Sequence, residues 1–546
     1  MIKFTFGIIF ISIISLPVFA QKLKMEASGY YQKKDYCKMV ETIEKSITAD
    51  ESQDNYSYYY AAQSACQCGN QTEKAIEFYK KGFAIGMDWS AYEFFANDTL
   101  NSCFNQTADW KKALAQMKEQ KDAYELKLQT HLDNLSDKTK KVNESPLTDK
   151  GFLEKLVAKD VKKLLKTLPN FNDFPNAPLT DRWTLYNYKV SETQEIPYLV
   201  YIPKNYNPKQ KTPLYIFLHG AVGRTNLAVK DIELTTHEGS FFEQPIKQNA
   251  FIIYPMANKD LNWLYHQKAF EMIIGELRQV KSLYNIDDDR VYIGGHSNGG
   301  SGAFWFALNM PTEIAAFSGF NFNPVCYFGN TTFSNLKNNY TFFGVSGTED
   351  SIFGYRPINE LSEKLKTQGI NWENYGLKGN HDLPYKHPND IKFLYDTLQK
   401  QTRNPFPKKL QWETDNAQNG RIYWLEINQL DNEKTKESWQ NSPEPATAFL
   451  DGEKAKANNF YTQKSGAVMA EIDNNVVKIK ASCVKELTFY VVPQLVNLNS
   501  PLKIYVNDKL VFNAKVKADK NVLLEEFIKT KDRSFLVLNK INLKLD

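Results

Sequence analysis

The chain has 546 residues, more than a single hydrophobic core accommodates, so its length predicts three or four domains. A composition of 42% hydrophobic and 24% charged residues is that of a globular protein and excludes disordered and collagen-like classes. The formal net charge is only +4, which gives no electrostatic argument for a nucleic-acid partner.

The N-terminus, residues 1–20, predicts a signal peptide. Lys3 supplies the positive start, and an almost unbroken apolar run follows from Phe6 to Leu16. The small residues Val18 and Ala20 place cleavage before the next residue. The apolar run is shorter than the ~20 residues that span a bilayer, so we favour cleavage over a retained anchor. We therefore expect an exported protein, periplasmic or secreted, with no integral membrane segment after cleavage.

The six cysteines fall into two groups. Four of them lie in the N-terminal part of the chain, at Cys37, Cys66, Cys68 and Cys103. Export permits disulfides, so we expect one or two bridges there. The Cys-Gln-Cys spacing is not that of a CxxC redox or zinc motif, and nearby histidines are lacking, so no metal site is predicted. Cys326 and Cys483 are isolated, which favours buried thiols.

Residues 21–125 have a helical pattern that repeats weakly. Three similar helix starts place Lys38, Lys74 and Lys111 at intervals of 36 and 37 residues, close to a helix–turn–helix period. Such repeats would offer a binding surface to a protein partner. The alternative interpretation is that these helices form a short cap that binds no partner.

One unit of this pattern, Tyr58 to Ala84, resembles a single tetratricopeptide repeat. Its turn would fall at Gly69. Its packing face would hold Ala75, Phe78 and Ala84. The resemblance predicts that two antiparallel helices pack against each other in this segment.

The rest of the chain divides by pattern into three parts. Residues 126–180 are charged and then rich in Pro, Asn and Asp, which predicts a helical linker that ends in a loop. Residues 181–402 alternate strands with helices, which predicts a mostly parallel sheet covered on both faces. Residues 403–546 carry short alternating strands and a tight hairpin turn at Val506–Leu510, which together favour an antiparallel β-sandwich.

A nucleophile motif follows the apolar strand Val291–Ile293. There the chain runs through Gly-His-Ser-Asn-Gly, residues 295–299, into the helix-forming stretch 303–308. In this strand–turn–helix setting, G-x-S-x-G predicts a strained turn that exposes Ser297 as a nucleophile. The two glycines are required because side chains there would clash in so sharp a turn. The alternative is a Gly-rich turn without chemistry.

Ser297 needs a general base and an acid that orients it, and in this fold the chain order is Ser, acid, His. Two histidines follow Ser297. His381 lies in a loop just after the strand-like Asn371–Tyr375, which is where the base is expected, whereas His387 precedes a proline and has the pattern of a surface residue. We therefore predict His381 as the base.

The acid should leave the preceding strand, Tyr340–Val345. Asp350 is the first choice and Glu349 the alternative. Its role would be to hold the imidazole tautomer and to stabilise the imidazolium.

The oxyanion hole needs two backbone donors. One should be the amide of Asn298, directly after the nucleophile. The other should come from the loop after the apolar strand Leu214–Leu218, where we assign Ala221, with Val222 as the alternative. His219 precedes the nucleophile in the chain and is predicted to be structural.

Residues 182–400 resemble the esterase branch of the α/β-hydrolase superfamily, the group with feruloyl esterases and polyhydroxybutyrate depolymerases. The matching residues are Tyr198–Pro203, His219-Gly220, Pro255, Asn262-Trp263, Asp289–Tyr292, Gly347-Thr348, Asp350 and His381. The resemblance implies hydrolysis of a small-molecule or carbohydrate-linked ester through an acyl-serine intermediate, without a cofactor. It also suggests Trp263 on the acyl side of the pocket, although this residue could equally be core. His296, next to the nucleophile, is the second candidate for substrate binding.

Two other functions compete with an ester hydrolase. A serine peptidase of the prolyl-oligopeptidase type shares the motif and the chain order, but it usually carries a β-propeller, which the helical residues 21–125 cannot form. The second competing function is that of a non-catalytic binding or scaffold protein built on a hydrolase fold. The intact set Ser297, Asp350 and His381 argues against it. The chain lacks the linker and substrate-binding module recognisable in polymer-degrading members of the branch, which argues against polymer substrates.

Overall fold

The computed structural model describes residues 23–24, 26–31, 33–49, 53, 55–85, 92–139, 150–177, 179–223, 239–386, 388–440 and 463–545. The predicted signal peptide and His387 lie outside these residues. The chain forms two compact units, Met1–His131 and Leu132–Asp546. Within the described ranges, no helix is both long and apolar enough to cross a bilayer.

The first unit is a set of helices around an aromatic core. Its helices are α1 (26–31), α2 (Tyr36–Thr48), α3 (Asn55–Gln67), α4 (Thr72–Ala84), α5 (Tyr92–Ala96) and α6 (Ala108–Thr139), the last of which continues past the unit boundary. In the core, Tyr59 lies parallel to Trp110 with 6.2 Å between ring centroids, and Tyr79 meets Trp110 edge-on at 5.1 Å. These large aromatic side chains supply much of the apolar area that the unit buries.

Helices α2, α4 and α6 begin at Tyr36, Thr72 and Ala108, at equal intervals of 36 residues. Gly69 adopts a φ of 72° in the turn between α3 and α4, and Ala75 and Phe78 are buried as expected. The prediction for Ala84 is wrong, because α4 ends at this residue and leaves it exposed. Assignment of the unit as a tetratricopeptide repeat stays a prediction.

Two disulfides cross-link this unit. Cys37 is bonded to Cys68, and Cys66 is bonded to Cys103. The bridges thus join the start of α2 to the end of α3, and α3 to the segment before α6. The expectation of one or two bridges here is confirmed, as are the buried free thiols at Cys326 and Cys483. Burial raises the pKa of the Cys326 thiol, which keeps it protonated.

The second unit contains an eight-stranded mixed sheet. Its strands are β1 (Arg182–Ser191), β2 (Gln194–Ile202), β3 (Thr212–Leu218), β4 (Phe251–Tyr254), β5 (Ile286–His296), β6 (Ala316–Phe320), β7 (Phe342–Gly347) and β8 (Trp372–Leu377). Their order is β1-β2-β4-β3-β5-β6-β7-β8. Strands β1 and β2 pair antiparallel with their neighbours, and the other six are parallel to one another. The sheet is thus mostly parallel, and its carboxyl edge collects the loops that follow β3 to β8.

Six helices accompany this sheet. They are α9 (Gly239–Lys247), α10 (Gln267–Leu283), α11 (Asn298–Asn309), α12 (Tyr355–Lys366), α13 (Leu383–Lys386) and α14 (Lys392–Leu398). Helix α11 packs on β5 and β6, and all of its residues after the first are buried. A helix that is apolar on every side must lie inside the protein, so α11 is held in one position against the sheet.

The C-terminal part forms two further sheets around one core. Their strands are β9 (Lys409–Thr414), β10 (Arg421–Ile422), β11 (Leu425–Leu430), β12 (Gly466–Asp473), β13 (Val476–Ser482), β14 (Val484–Val491), β15 (Leu502–Val506), β16 (Lys509–Ala514) and β17 (Asn539–Lys544), with helix α15 (Lys520–Thr530). The orders are β10-β11-β14-β17 and β16-β15-β13-β12-β9. The expected wholly antiparallel pairing fails at one place, because β13 and β15 are parallel. The predicted hairpin turn is confirmed at Asn507 and Asp508, whose φ angles are 47° and 65°.

The segment predicted as a linker contributes to the core of these two sheets. It forms helices α7 (Lys150–Val157) and α8 (Val161–Thr167). Four of its apolar side chains are buried in that core, namely Leu156, Leu164, Leu168 and Phe174. Because these side chains face inward, residues 156–174 are part of the C-terminal fold, and the lysines of α8 at 162, 163 and 166 are exposed.

A buried charge network fastens the C-terminal part to the amino end of β5. Arg403 contacts Asp532 at 2.7 Å and Asp289 at 2.9 Å, and Arg533 contacts Asp288 at 3.2 Å. Lys281 of α10 reaches the same Asp288 at 2.7 Å. The neighbouring carboxylates raise the pKa of Arg403, and the cation in turn lowers the pKa of Asp532, so these two groups stay ionised.

We predict that Arg403→Met destabilises the second unit by about 3–5 kcal/mol, because it leaves buried carboxylates without their cation. The matched control is Lys408→Met, which removes an exposed pair with Asp473 at 3.4 Å and should cost about 1 kcal/mol or less. Urea unfolding followed by tryptophan fluorescence measures both. Equal effects of the two substitutions would contradict a structural role for the network.

Candidate active site

Ser297 lies in a strained turn between β5 and α11. Its φ is 55° and its ψ is −121°, a combination that side-chain-bearing residues rarely adopt. The turn is fixed from both sides, because the Ser297 amide donates to the Phe320 carbonyl at 2.9 Å and the Ser301 amide donates to the Ser297 carbonyl at 3.1 Å. Such strain persists only where the surroundings impose it, and it is characteristic of functional sites.

The glycines around Ser297 allow the backbone segments to approach closely. A Cβ on Gly299 would lie 1.8 Å from the Leu218 carbonyl oxygen, and one on Gly295 would lie 2.4 Å from the Gly299 backbone. A Cβ on Gly220 would lie 3.1 Å from the Cβ of Ser297. The clash predicted for side chains at 295 and 299 is therefore present, and the loop after β3 lies against the nucleophile turn.

Asp350 and His381 form a hydrogen-bonded pair at the same edge of the sheet. Asp350 follows β7, His381 follows β8, and His381 Nδ1 donates to Asp350 Oδ2 at 2.9 Å. The other carboxylate oxygen accepts the amides of Ile352 at 2.8 Å and Phe353 at 3.0 Å. The Asp350 side chain is fully buried, whereas 21% of the His381 side chain is exposed. The alternative acid, Glu349, is exposed.

The backbone of His381 is held by two side chains. Its carbonyl oxygen accepts one hydrogen bond from His296 Nε2 and another from Asn321 Nδ2, each at 2.8 Å. Asn321 Nδ2 also donates to the Asn380 carbonyl at 2.9 Å, and its Oδ1 accepts the Gly347 amide at 2.7 Å. Asn321 thus joins the ends of β6 and β7 to the histidine loop.

Sequence reasoning missed Asn321. The available signal was an asparagine directly after the buried strand β6, in a chain whose other site residues also follow strands. Its φ of 45° suits asparagine, which tolerates the left-handed region better than most residues.

His296 lies beneath the histidine loop rather than in open space. Its Nε2 donates to the His381 carbonyl, and its Nδ1 accepts a hydrogen bond from the Tyr385 hydroxyl at 3.2 Å. Burial, with a smaller contribution from the nearby His381, lowers the pKa of His296 to about 3. Both ring nitrogens are therefore engaged by the protein, and the ring is neutral. The structure places His296 as a support for His381, in contrast to the substrate-binding position expected from the sequence.

We predict that the His296 imidazole does not titrate between about pH 8 and about pH 4.5, because its pKa lies below that range and burial disfavours the cation. Proton–nitrogen NMR of histidine-labelled protein measures this, with the resonance assigned by its loss in His296→Asn. Titration of this resonance near the ordinary histidine pKa would contradict the buried, neutral assignment.

The residues expected to supply the oxyanion donors lie in the segments next to Ser297, one in α11 and one after Gly220. Asn298 is the first residue of α11, and Ala221 adopts a φ of 53° in the loop after β3. The Val222 amide donates to the Asn298 side chain at 3.3 Å, which favours Ala221 over Val222 as the second donor. Residues 224–238, which continue this loop, lie outside the described residues.

Trp263 and His219 pack together below the loops. Trp263 is fully buried, its ring meets His219 edge-on at 4.7 Å, and a Cβ on Gly302 would lie 2.6 Å from it. Trp263 is thus a core residue in this structure, where the sequence suggested substrate binding. His219 Nδ1 donates to the Gly220 carbonyl and its Nε2 accepts the Ala257 amide at 3.2 Å, in agreement with a structural role. Among the described residues, no cluster of three or more His, Cys, Asp or Glu side chains could hold a metal ion.

Comparison with known proteins gives one family match. Residues 191–418 match the model of the Esterase family. A bifunctional acetylxylan esterase/xylanase of Neocallimastix patriciarum is 26% identical over 187 residues, which are 34% of this chain and 26% of that protein. The chain therefore matches about a quarter of the length of this curated relative.

Solved structures of hydrolases also align with the chain. A thermostable esterase aligns with a TM-score of 0.34 and 24% identity, over 41% of this chain and 64% of that one. A ferulic acid esterase aligns with a TM-score of 0.34 and 15% identity, over 41% of this chain and 99% of that one. S-formylglutathione hydrolase from Staphylococcus aureus aligns with a TM-score of 0.32 and 14% identity, over 40% and 99% of the two chains.

Proposed function

We propose, from the match of residues 191–418 to the model of the Esterase family, that this chain hydrolyses carboxylic esters with Ser297 as the nucleophile. The observation that carries the proposal is the Asp350–His381 hydrogen bond of 2.9 Å beside the strained turn. His381 is close to that turn, because its carbonyl is bonded to His296, the residue directly before Ser297.

In the proposed reaction, His381 takes the proton of Ser297 as the serine oxygen attacks the ester carbonyl. The amides of Asn298 and Ala221 stabilise the negative oxygen of the tetrahedral intermediate, next to the positive end of the α11 dipole. When the carbon–oxygen bond breaks, His381 gives its proton to the departing alcohol. The same imidazole then deprotonates a water, which attacks the acyl-serine; as the bond between the acyl carbon and the serine oxygen breaks, His381 returns the proton to that oxygen and the acid leaves.

Asp350 would orient the base. Two backbone amides hold one carboxylate oxygen, so the other oxygen is fixed toward His381 Nδ1. This bond keeps the proton on Nδ1 and leaves Nε2 as the nitrogen that accepts the serine proton. The buried carboxylate also stabilises the imidazolium that forms during the reaction.

We further propose that the protein is exported and acts on a small-molecule or carbohydrate-linked ester. The two disulfides support export, because such bonds persist in oxidising compartments. The acetylxylan esterase relative supports an ester of a sugar chain as the substrate class. We also propose the domain boundaries given under Sequence analysis. In that division the C-terminal part is a β-sandwich, and the helical unit offers a surface to a protein partner.

We predict that Ser297→Ala lowers the rate of ester hydrolysis about 10⁴-fold or more while the fold is retained, since the variant lacks the nucleophile. Both proteins should be assayed against p-nitrophenyl acyl esters of several lengths, methyl ferulate, an acetylated xylo-oligosaccharide and a peptide amide. A Ser297→Ala protein that keeps wild-type activity would contradict the assignment. Wild-type cleavage of the amide alone would favour a peptidase.

We predict that Asn321→Ala lowers kcat about 10- to 100-fold with little change in KM, because a shift of His381 by about 1 Å is enough to misplace the base. The matched control is Asn475→Ala. Asn475 also has a positive φ, and its side chain also holds a loop by bonding Asn497, but it lies in the turn between β12 and β13. Equal losses of kcat in both variants would show that Asn321 acts through stability alone.

A further inference from the structure

A groove of about 690 Å³ lies between the five-stranded sheet and the amino edge of the eight-stranded sheet. The five-stranded sheet contributes its outward face from β9 to β15, and residues 337–339 and 371 form the opposite wall. Those wall residues precede β7 and β8, whereas Ser297 follows β5. The groove is therefore at the opposite edge of the sheet from the candidate active site and is a separate feature.

The register of the strands defines the groove floor. Lys409, Glu471, Lys478 and Tyr505 are direct neighbours across β9, β12, β13 and β15. At about 4.8 Å per strand this row is about 14 Å long. The apolar side chain of this row is the ring of Tyr505. A second, adjacent row contains Met469, which is 41% exposed and lies opposite Lys480 on the neighbouring strand.

Three lysines of the groove have no acidic partner. Within the described residues, no carboxylate lies within 4.0 Å of Lys337, Lys478 or Lys480, whereas Lys409 pairs with Glu471 at 3.3 Å. Lys478 and Lys480 are both exposed and point to the same side of β13, because Ile479 between them is buried. Among the described residues, the groove thus presents lysines without a paired carboxylate beside the half-buried phenol ring of Tyr505.

We propose that this groove binds an acidic polysaccharide, a chain of sugars that carry carboxylates. The lysines would pair with the sugar carboxylates, and Tyr505 and Met469 would pack on the apolar faces of the rings. Glu471 and Asp508 at the same groove can accept hydrogen bonds from sugar hydroxyls. A nucleic acid strand, which also carries one negative charge per unit, is the alternative that the test below distinguishes.

This inference goes beyond the proposed ester hydrolysis, since it concerns binding at a second site. A polymer held here would keep its ester groups near the enzyme and raise their local concentration. The five-stranded sheet would then be the substrate-binding module that the sequence did not reveal.

The test is affinity electrophoresis of the full-length Ser297→Ala protein in gels that contain polygalacturonate. We expect retardation at low salt, and about tenfold weaker binding in the Lys478→Ala/Lys480→Ala variant. A Tyr505→Ala variant should also bind more weakly. The matched control, Lys162→Ala/Lys166→Ala, removes two exposed charges from α8 and should bind like the parent. Hydrolysis of p-nitrophenyl acetate by the same substitutions in the wild-type background should be unchanged.

Three results with the Ser297→Ala protein itself would overturn the proposal. They are no retardation by polygalacturonate, equal retardation by neutral galactan, and binding of single-stranded DNA as tight as that of polygalacturonate. An unchanged affinity in Lys478→Gln/Lys480→Gln, with its melting temperature verified, would overturn it as well. Because the binding assay uses the Ser297→Ala protein and the activity assay uses the wild-type background, failure of this proposal is distinguishable from failure of the proposed esterase activity.

Discussion

The carbonyl oxygen of His381 is the point on which the candidate site depends. It accepts hydrogen bonds from His296, next to the nucleophile, and from Asn321, at the end of β6. Since Asn321 also holds the Gly347 amide at the end of β7, one small cluster fixes the three loops that carry Ser297, Asp350 and His381. Burial lowers the pKa of His296 to about 3, so this ring stays neutral, with Nε2 as the donor to the His381 carbonyl.

The other end of β5 is held in a different way. There, Asp288 and Asp289 bind the buried guanidinium groups of Arg533 and Arg403, both of which belong to the C-terminal part of the chain. The strand that leads into Ser297 thus begins at an interface with the C-terminal sheets. Loss of that interface would free the amino end of β5, so the C-terminal part supports the eight-stranded sheet.

Much of the site could be predicted because it follows local rules. Ser297 is marked by a motif with its strand and helix, and the chain order of the fold then leads to Asp350 and His381 as the paired residues. The contribution of Asn321 depends on contacts 59 and 60 residues away in the chain, which no local pattern contains. The same limit explains the burial of Leu164 in a supposed linker and the parallel pairing of β13 with β15. For Trp263 the sequence left a pocket position and a core position open, because identity and position do not specify which way a side chain points, and the structure buries this residue.

The most direct test of the central claim is covalent labelling with a fluorophosphonate, followed by peptide mass spectrometry. A nucleophilic serine should gain the phosphonyl group on Ser297 in the wild type, and labelling should be much slower in His381→Ala, which retains the serine but lacks its base. Attachment to a different residue, or equal labelling rates in the two proteins, would contradict the account.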